Sequence, residues 1–414
     1  MTSSLSITTS ALPAGQVGKR YGLTLRTAGG RFPYKWVITS GSLPAGLKLS
    51  TSGRISGIPT LSGSSSVTVQ VTDGKGATAS RGYTLVVSGK ILYQRGGRLD
   101  KLVVMNADGT GQKLLTPATA SDEHAAWSPD GSKIAFTSSK ALGNKGIFVM
   151  TASGRKRVNL SKPVDQYDQF PAWSPDGSKI AFGRQEFEGG VGTTYAIWSM
   201  NADGSGQTML ATADSGASTG VFAGGPRWSP DGSKIAFTRG GEVFVMNADG
   251  TGLTNLTNAS GRQEGPVWSP DGSKIAFTSS HGSWLNDEIY VMNADGSGQT
   301  RLTNDSLRDT DYVWSPDGSK LLFTKGSFVC SGPGCPPNDI EIYVMNADGS
   351  GQTRLTDNDY SDSQPNWSAD GSKIVFVSGP NLTSEIYVMN ADGSAKTALT
   401  KNKSQRNKYP EWSP

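Results

Sequence analysis

The sequence predicts an all-β chain: a β-sandwich over residues 1–89, then over 90–414 repeated four-stranded units arranged in a ring. Three observations carry this. A heptapeptide close to WSPDGSK starts at Trp127, Trp173, Trp228, Trp268, Trp314 and Trp367. Between its copies lie apolar runs of strand length, each bounded by Gly, Pro, Asn or Asp. The first ninety residues alternate strands and turns in a different pattern.

The N-terminal strands read YGLTLRTAGG, YKWVIT, LKLSTSGRISG, SSVTVQVTD and GYTLVVSG, the pattern of a two-sheet sandwich. Leu43-Pro44, Gly46-Leu47, Gly53, Ile55, Gly57, Pro59, Gly63 and the closing Val71-Thr72-Asp73 mark this region. With these residues it resembles the immunoglobulin-like modules, of cadherin-like class, found in bacterial surface proteins. That resemblance implies an Ig-like β-sandwich with an extracellular adhesive or spacer role. Asp73 is the only acid in the region, and a cadherin-type calcium site needs several, so no metal is expected. The linker VVSGK, 86–90, is short enough to restrict motion between the two regions.

In the second region, each Trp ends a strand a. The run IAFT forms strand b, IYVM strand c and QTRLT strand d. SPDGS connects a to b and NADGSG connects c to d. In both, Pro fixes φ, Asp or Asn bonds the local backbone, and Gly takes positive φ. NADGSG also has the look of a calcium loop. A turn repeated at one place in every unit reads as a hairpin, and the acidic twelfth ligand and flanking helices of an EF-hand are missing. A single unit cannot bury both faces, so the units stack radially into a propeller. ILYQRG, KLVVMNADG and QKLLT supply strands b, c and d of a first unit that has no Trp strand before it. The strand ending at Trp412 has no strand b after it. Joined, they give a seven-bladed β-propeller closed by strands from both ends. The string WSPDGSKIAFTS with IYVMNADGSGQTRLT resembles the WD40-like repeats of the TolB propeller family over 91–414. The chain departs from TolB in unit number and in its N-terminal domain.

Charge is unevenly placed. Residues 1–90 hold ten Lys and Arg against one acid, a net +9, while 91–414 carry a net −5. The basic part lacks aromatic stacking runs, so nucleic acid is not the expected partner. No apolar run is long enough to span a membrane, and no secretory signal is visible at the N-terminus. Cys330 and Cys335, in VCSGPGCPP, are close enough in sequence to form a disulfide in an oxidising compartment. No cofactor is implied.

Uniform turns occupy one face of the ring, while the loops of varied length fall on the other, which is the expected recognition face. There the sequence places a rim of acids, with Asp122, Asp168, Asp309 and Asp362 each five residues before a Trp, and Glu123, Glu264 and Asp311 close by. Such a rim suits a cation or a basic peptide, although each Asp also fits as a cap on its own loop. Tyr167, Phe170, Phe222, Tyr312, Tyr360 and Tyr409 are aromatic candidates for stacking on a sugar or anchoring a protein. The only histidines, His124 and His281, lie in different units. Propeller peptidases carry a separate α/β-hydrolase domain, and none is visible. The expectation is therefore a non-enzymatic binding or structural protein of a cell surface or virion. Its Ig-like module would anchor it, and its propeller would meet a protein or glycan surface. A TolB-like periplasmic scaffold is the alternative, and a propeller glycan hydrolase or lyase stands further off.

Overall fold

The computed structural model describes residues 4–117, 119–140, 144–163, 166–188, 191–213, 225–280, 286–326, 340–380, 383–401 and 405–414. Every regular element among them is a β-strand. Cys330, Cys335, Phe222 and His281 lie outside the described residues. The chain divides into two compact units, principally before and after Ile91.

The N-terminal unit has a four-stranded sheet in the order Gly15–Gln16, Thr78–Ser88, Gly63–Thr72 and Lys35–Gly41. It also has a three-stranded sheet in the order Tyr21–Thr24, Arg54–Gly57 and Leu47–Leu49. Alternate residues of Gly63–Thr72 and Thr78–Ser88 point inward. Val67, Val69, Val71, Tyr83 and Leu85 there join Trp36 and Ile55 in one core. Gly53 is fixed by close approach: its φ is 86°, and a Cβ would lie 2.6 Å from Trp36 Nε1.

Four-stranded antiparallel sets succeed one another in the second unit. Each runs a, b, c, d at the places the Trp motifs mark, as in Arg262–Trp268, Lys274–Ser280, Asp287–Asn293 and Thr300–Arg301. The sets built on Trp127 and Trp173 fuse into one eight-stranded sheet through a single parallel pairing, Lys145 with Tyr167. The set containing Lys90–Arg95 and Lys101–Asn106 takes its fourth strand, Asn407–Trp412, from the far end of the chain.

Packing between sets obeys one recipe. The Trp, the b-strand Ile and Phe, and the c-strand Met of one set meet aliphatics of the set before it. Trp314, Leu321, Phe323 and Met345, for example, lie on Ala276, Ile289, Val291 and Leu302. The Trp indole N–H donates to a carbonyl of the preceding strand a: Trp173 to Ala126, Trp228 to Ala172, Trp268 to Arg227 and Trp314 to Val267, at 3.1–3.3 Å. The b-strand ring is fully buried at Phe136, Phe182, Phe237, Phe277, Phe323 and Phe376.

NADGSG is a structural turn of this packing. Within each turn the aspartate caps its own backbone, as Asp295 Oδ1 accepts from Ser297 N at 2.9 Å. The first glycine presses on the preceding set. At Gly250, φ is 89° and a Cβ would stand 2.8 Å from Leu210 O. The glutamine after the turn clips on beside it, its Nε2 donating to Leu160 O from Gln207, to Leu256 O from Gln299, to Leu302 O from Gln352 and to Leu399 O from Gln112. The NADG alanine N–H also donates to the serine carbonyl of SPDGS, as from Ala294 to Ser273, so both turns share one face. No group of three or more His, Cys, Asp or Glu among the described residues is placed to hold a metal ion.

Candidate functional site

Strand a carries the side chains of interest. Three residues before each Trp the backbone turns left-handed: His124, Phe170, Asp311, Gln364 and Tyr409 have φ between 49° and 56°, and Gly225 and Gly265 have 68° and 66°. Where the register is defined it slips at this point, between Glu123 and Ala126 and again between Thr310 and Val313, which is a β-bulge.

Strand a extends well ahead of the bulge, and this corrects the predicted acid rim. Asp122, Asp168, Asp309 and Asp362 lie inside the strands and are wholly buried, so they offer nothing to an external cation or peptide. Asp168 takes both Nε and Nη2 of the buried Arg184, at 2.6 and 3.0 Å. Asp122 accepts from Arg157 Nη2 at 2.8 Å. Asp362 accepts from Asn358 Nδ2 at 2.7 Å. Asp309 Oδ1 lies 3.9 Å from Lys325 Nζ, and burial pushes its carboxyl up to about 7. Asn407, at the same place before Trp412, is fixed by Ser384 O and Thr400 Oγ1. These groups tie strand a to its surroundings.

The other predicted residues are more open. Glu123 is half-buried and pairs with Lys145 at 3.2 Å. Glu264 pairs with Arg262, and burial raises its carboxyl above the usual range. Tyr167 is half-buried beside Lys145. Tyr312 donates to Gly265 O and lies 3.1 Å from Glu264 O, and burial raises its phenol. Asp311 is exposed, and its Oδ2 accepts the Gln364 N–H at 3.0 Å.

Asp311 belongs to a chain of contacts between successive bulges. Gln364 Oε1 in turn accepts the Tyr409 N–H at 2.6 Å. The His124 ring packs at a tilt against Phe170, with centroids 4.0 Å apart. Burial lowers the His124 imidazole to about 4, so it is neutral at pH 7, and its Nδ1 is buried without a hydrogen-bond partner. Left-handed geometry costs an L-residue about 1–2 kcal/mol, and five such side chains at one level mark a constrained surface.

Two charges escaped the sequence reading. Arg227 and Glu411 each directly precede a Trp, where Ala126, Ala172, Val267 and Val313 stand in other sets. Arg227 is open to solvent yet ringed by protein. Burial carries the Glu411 carboxyl up to about 8 despite the pull of Arg227. Reading the column of residues before each Trp would have found both. The run GASTG, 216–220, also has Gly-x-Ser-x-Gly spacing, but it lies outside the described residues.

Residues 80–221, 192–327 and 336–414 match the family described as "TolB beta propeller domain". The chain belongs to that family. Residues 4–88 match the family described as "Putative Ig domain". No curated protein matches the chain. Among solved structures, the chain is similar to TolB from Acinetobacter baumannii, at 18% identity over 92% of this chain and 83% of that one, with a TM-score of 0.48. It is similar to an oligogalacturonate lyase from Vibrio parahaemolyticus, at 16% identity over 71% and 84%, with a TM-score of 0.55. It is also similar to a puromycin-hydrolyzing peptidase from Mycobacterium tuberculosis, at 14% identity over 90% and 57%, with a TM-score of 0.55. At these identities the likeness speaks for the propeller fold alone.

Proposed function

We propose that the chain is a non-enzymatic binding protein of an extracellular surface, either a cell envelope or a virion. Its Ig-like module anchors it to an acidic surface. Its propeller is a seven-bladed ring, closed by Asn407–Trp412, that presents a recognition face to a protein or glycan. The observation that carries this reading is the contrast between two levels of strand a. The buried Asp122, Asp168 and Asp362 are engaged in tying the fold, while the bulge level varies from set to set, with His124, Phe170, Asp311 and Tyr409 offering a different surface at each. Membership of the TolB propeller family supports a scaffold that binds other proteins. It also supports a second reading, a periplasmic scaffold holding a peptide at Arg227 and Glu411. Immobilised full-length protein, presented with envelope and particle fractions, tests the proposal. Capture that is lost in a Tyr409→Ala, Asp311→Ala double variant is expected. Turnover of an oligosaccharide panel would overturn the non-enzymatic reading.

A further inference from the structure

Four of the ten cations of residues 1–90 share one sheet face of the N-terminal unit. Strand Tyr21–Thr24 pairs with Arg54–Gly57, which pairs with Leu47–Leu49. Along the first strand and its flanks Tyr21 and Leu25 are buried, whereas Arg20, Gly22, Thr24 and Arg26 are exposed. Period-two alternation sets those four on the outer face. The register places Gly22 and Lys48 on opposite sides of Ser56, and Thr24 beside Arg54. Lys48 and Arg54 are exposed as well. Gly22 lets the Arg54 guanidinium lie down on the sheet, since a Cβ there would be 3.1 Å from Nη2.

The one acid of this region is engaged elsewhere. The Asp73 carboxylate accepts backbone N–H groups of Arg31, Lys75 and Ala77, each at 2.9 Å. Those bonds hold it below the usual carboxylate range, the Arg31 N–H contributing most. Among the described residues it pairs with no cationic side chain. Arg20, Arg26, Lys48 and Arg54 have no ion-pair partner among the described residues.

We propose that this face binds a linear polyuronate, a glycan with one carboxylate per sugar. Arg20 and Arg26 are six residues apart, roughly 20 Å of extended chain. Duplex DNA carries about twelve charges over that length, some three times what four cations match. The outer face has no aromatic to stack on a base, and no helix to enter a groove. Between the cations lie Gly22, Thr24 and Ser56, a flat bed with two hydroxyls. Arginine forks grip carboxylates with two parallel hydrogen bonds. The inference rests on the anchoring role proposed above and names its chemistry.

Affinity electrophoresis of the full chain through polygalacturonate tests it, with neutral dextran and duplex DNA as parallel arms and a salt series in each. Polygalacturonate is expected to retard the protein and dextran to leave it unretarded. The quadruple variant R20Q/R26Q/K48Q/R54Q is expected to lose at least tenfold in affinity. The slope of log affinity against log salt should fall with each cation removed, by less than the value of about one per contact that duplex DNA gives. The variant R31Q/K35Q/K75Q, with charges off this face, should bind as the parent does. Circular dichroism checks that both variants fold. Equal losses in the two variants, or tighter binding to DNA than to polygalacturonate, would overturn the inference. Capture of the protein by an envelope fraction without polygalacturonate binding would overturn it too, while leaving the anchoring role standing.

Discussion

Replacing Gly250 by Ala isolates the two demands that the repeated turn makes on its glycines. The backbone at Gly250 has φ 89°, and an added Cβ would stand 2.8 Å from Leu210 O and 3.1 Å from Leu210 Cα. Left-handed geometry costs the alanine about 1–2 kcal/mol, and its stiffer unfolded chain returns about 0.4–1. The clash is with backbone, which cannot swing aside, and forced shifts of this kind cost about 1–3 kcal/mol. The total is about 1–5 kcal/mol. Two residues on, Gly252 shares the left-handed backbone at 66°, but its Cβ would meet only the flexible Asn247 Nδ2. Gly252→Ala should cost about 1 kcal/mol or less. Nature has made that substitution in the last turn, where Ala395 sits at φ 55°, so Ala395→Gly should gain a similar small amount. Urea unfolding monitored by tryptophan fluorescence reads all three variants. If Gly250→Ala proved no worse than Gly252→Ala, the close approach between sets would not be the reason for the glycine.

Three further outcomes are expected. Arg184→Ala should destabilise the propeller by about 3–5 kcal/mol, because it leaves the Asp168 carboxylate buried and unpaired; urea titration reads this. Asp309 titrates near 7 when folded, above its unfolded value, so its contribution is fully present near pH 4 and is lost as pH rises through 7. Asp309→Asn should therefore raise stability at pH 8 by up to about 4 kcal/mol and flatten the melting-temperature profile between pH 4 and 8. Gln299→Ala removes the 2.8 Å clip to Leu256 O and should cost about 1 kcal/mol, measured by thermal unfolding.

Much of the architecture was legible because the repeat spells out its own packing. The Trp, the turn glycines and the apolar runs each have one job in every set, and the strand borrowed from the chain end emerged from counting strands. The acids were misread because the sequence does not show how far strand a extends. Asp122 looks like part of a loop, yet it lies in strand Ala120–Trp127 and pairs across to Ser138. The bulge was hidden because Phe170 and Tyr409 are bulky residue types that seldom adopt left-handed backbone. Arg227 and Glu411 were missed for a simpler reason: the repeated motif begins at the Trp, and these charges stand one residue ahead of it.

The pairing of Lys90–Arg95 with Asn407–Trp412 also sets an order in time. On a ribosome the earlier strand emerges 312 residues before its neighbour, which is about 16–60 s at usual rates of synthesis. Through that interval one edge of Lys90–Arg95 offers unpaired backbone groups to any passing strand. Successive sets can pack as they appear, but the set built on Lys90–Arg95 stays one strand short until translation reaches Trp412. A nascent chain halted before Asn407 would carry an open edge, and such fragments should be the aggregation-prone products of this gene.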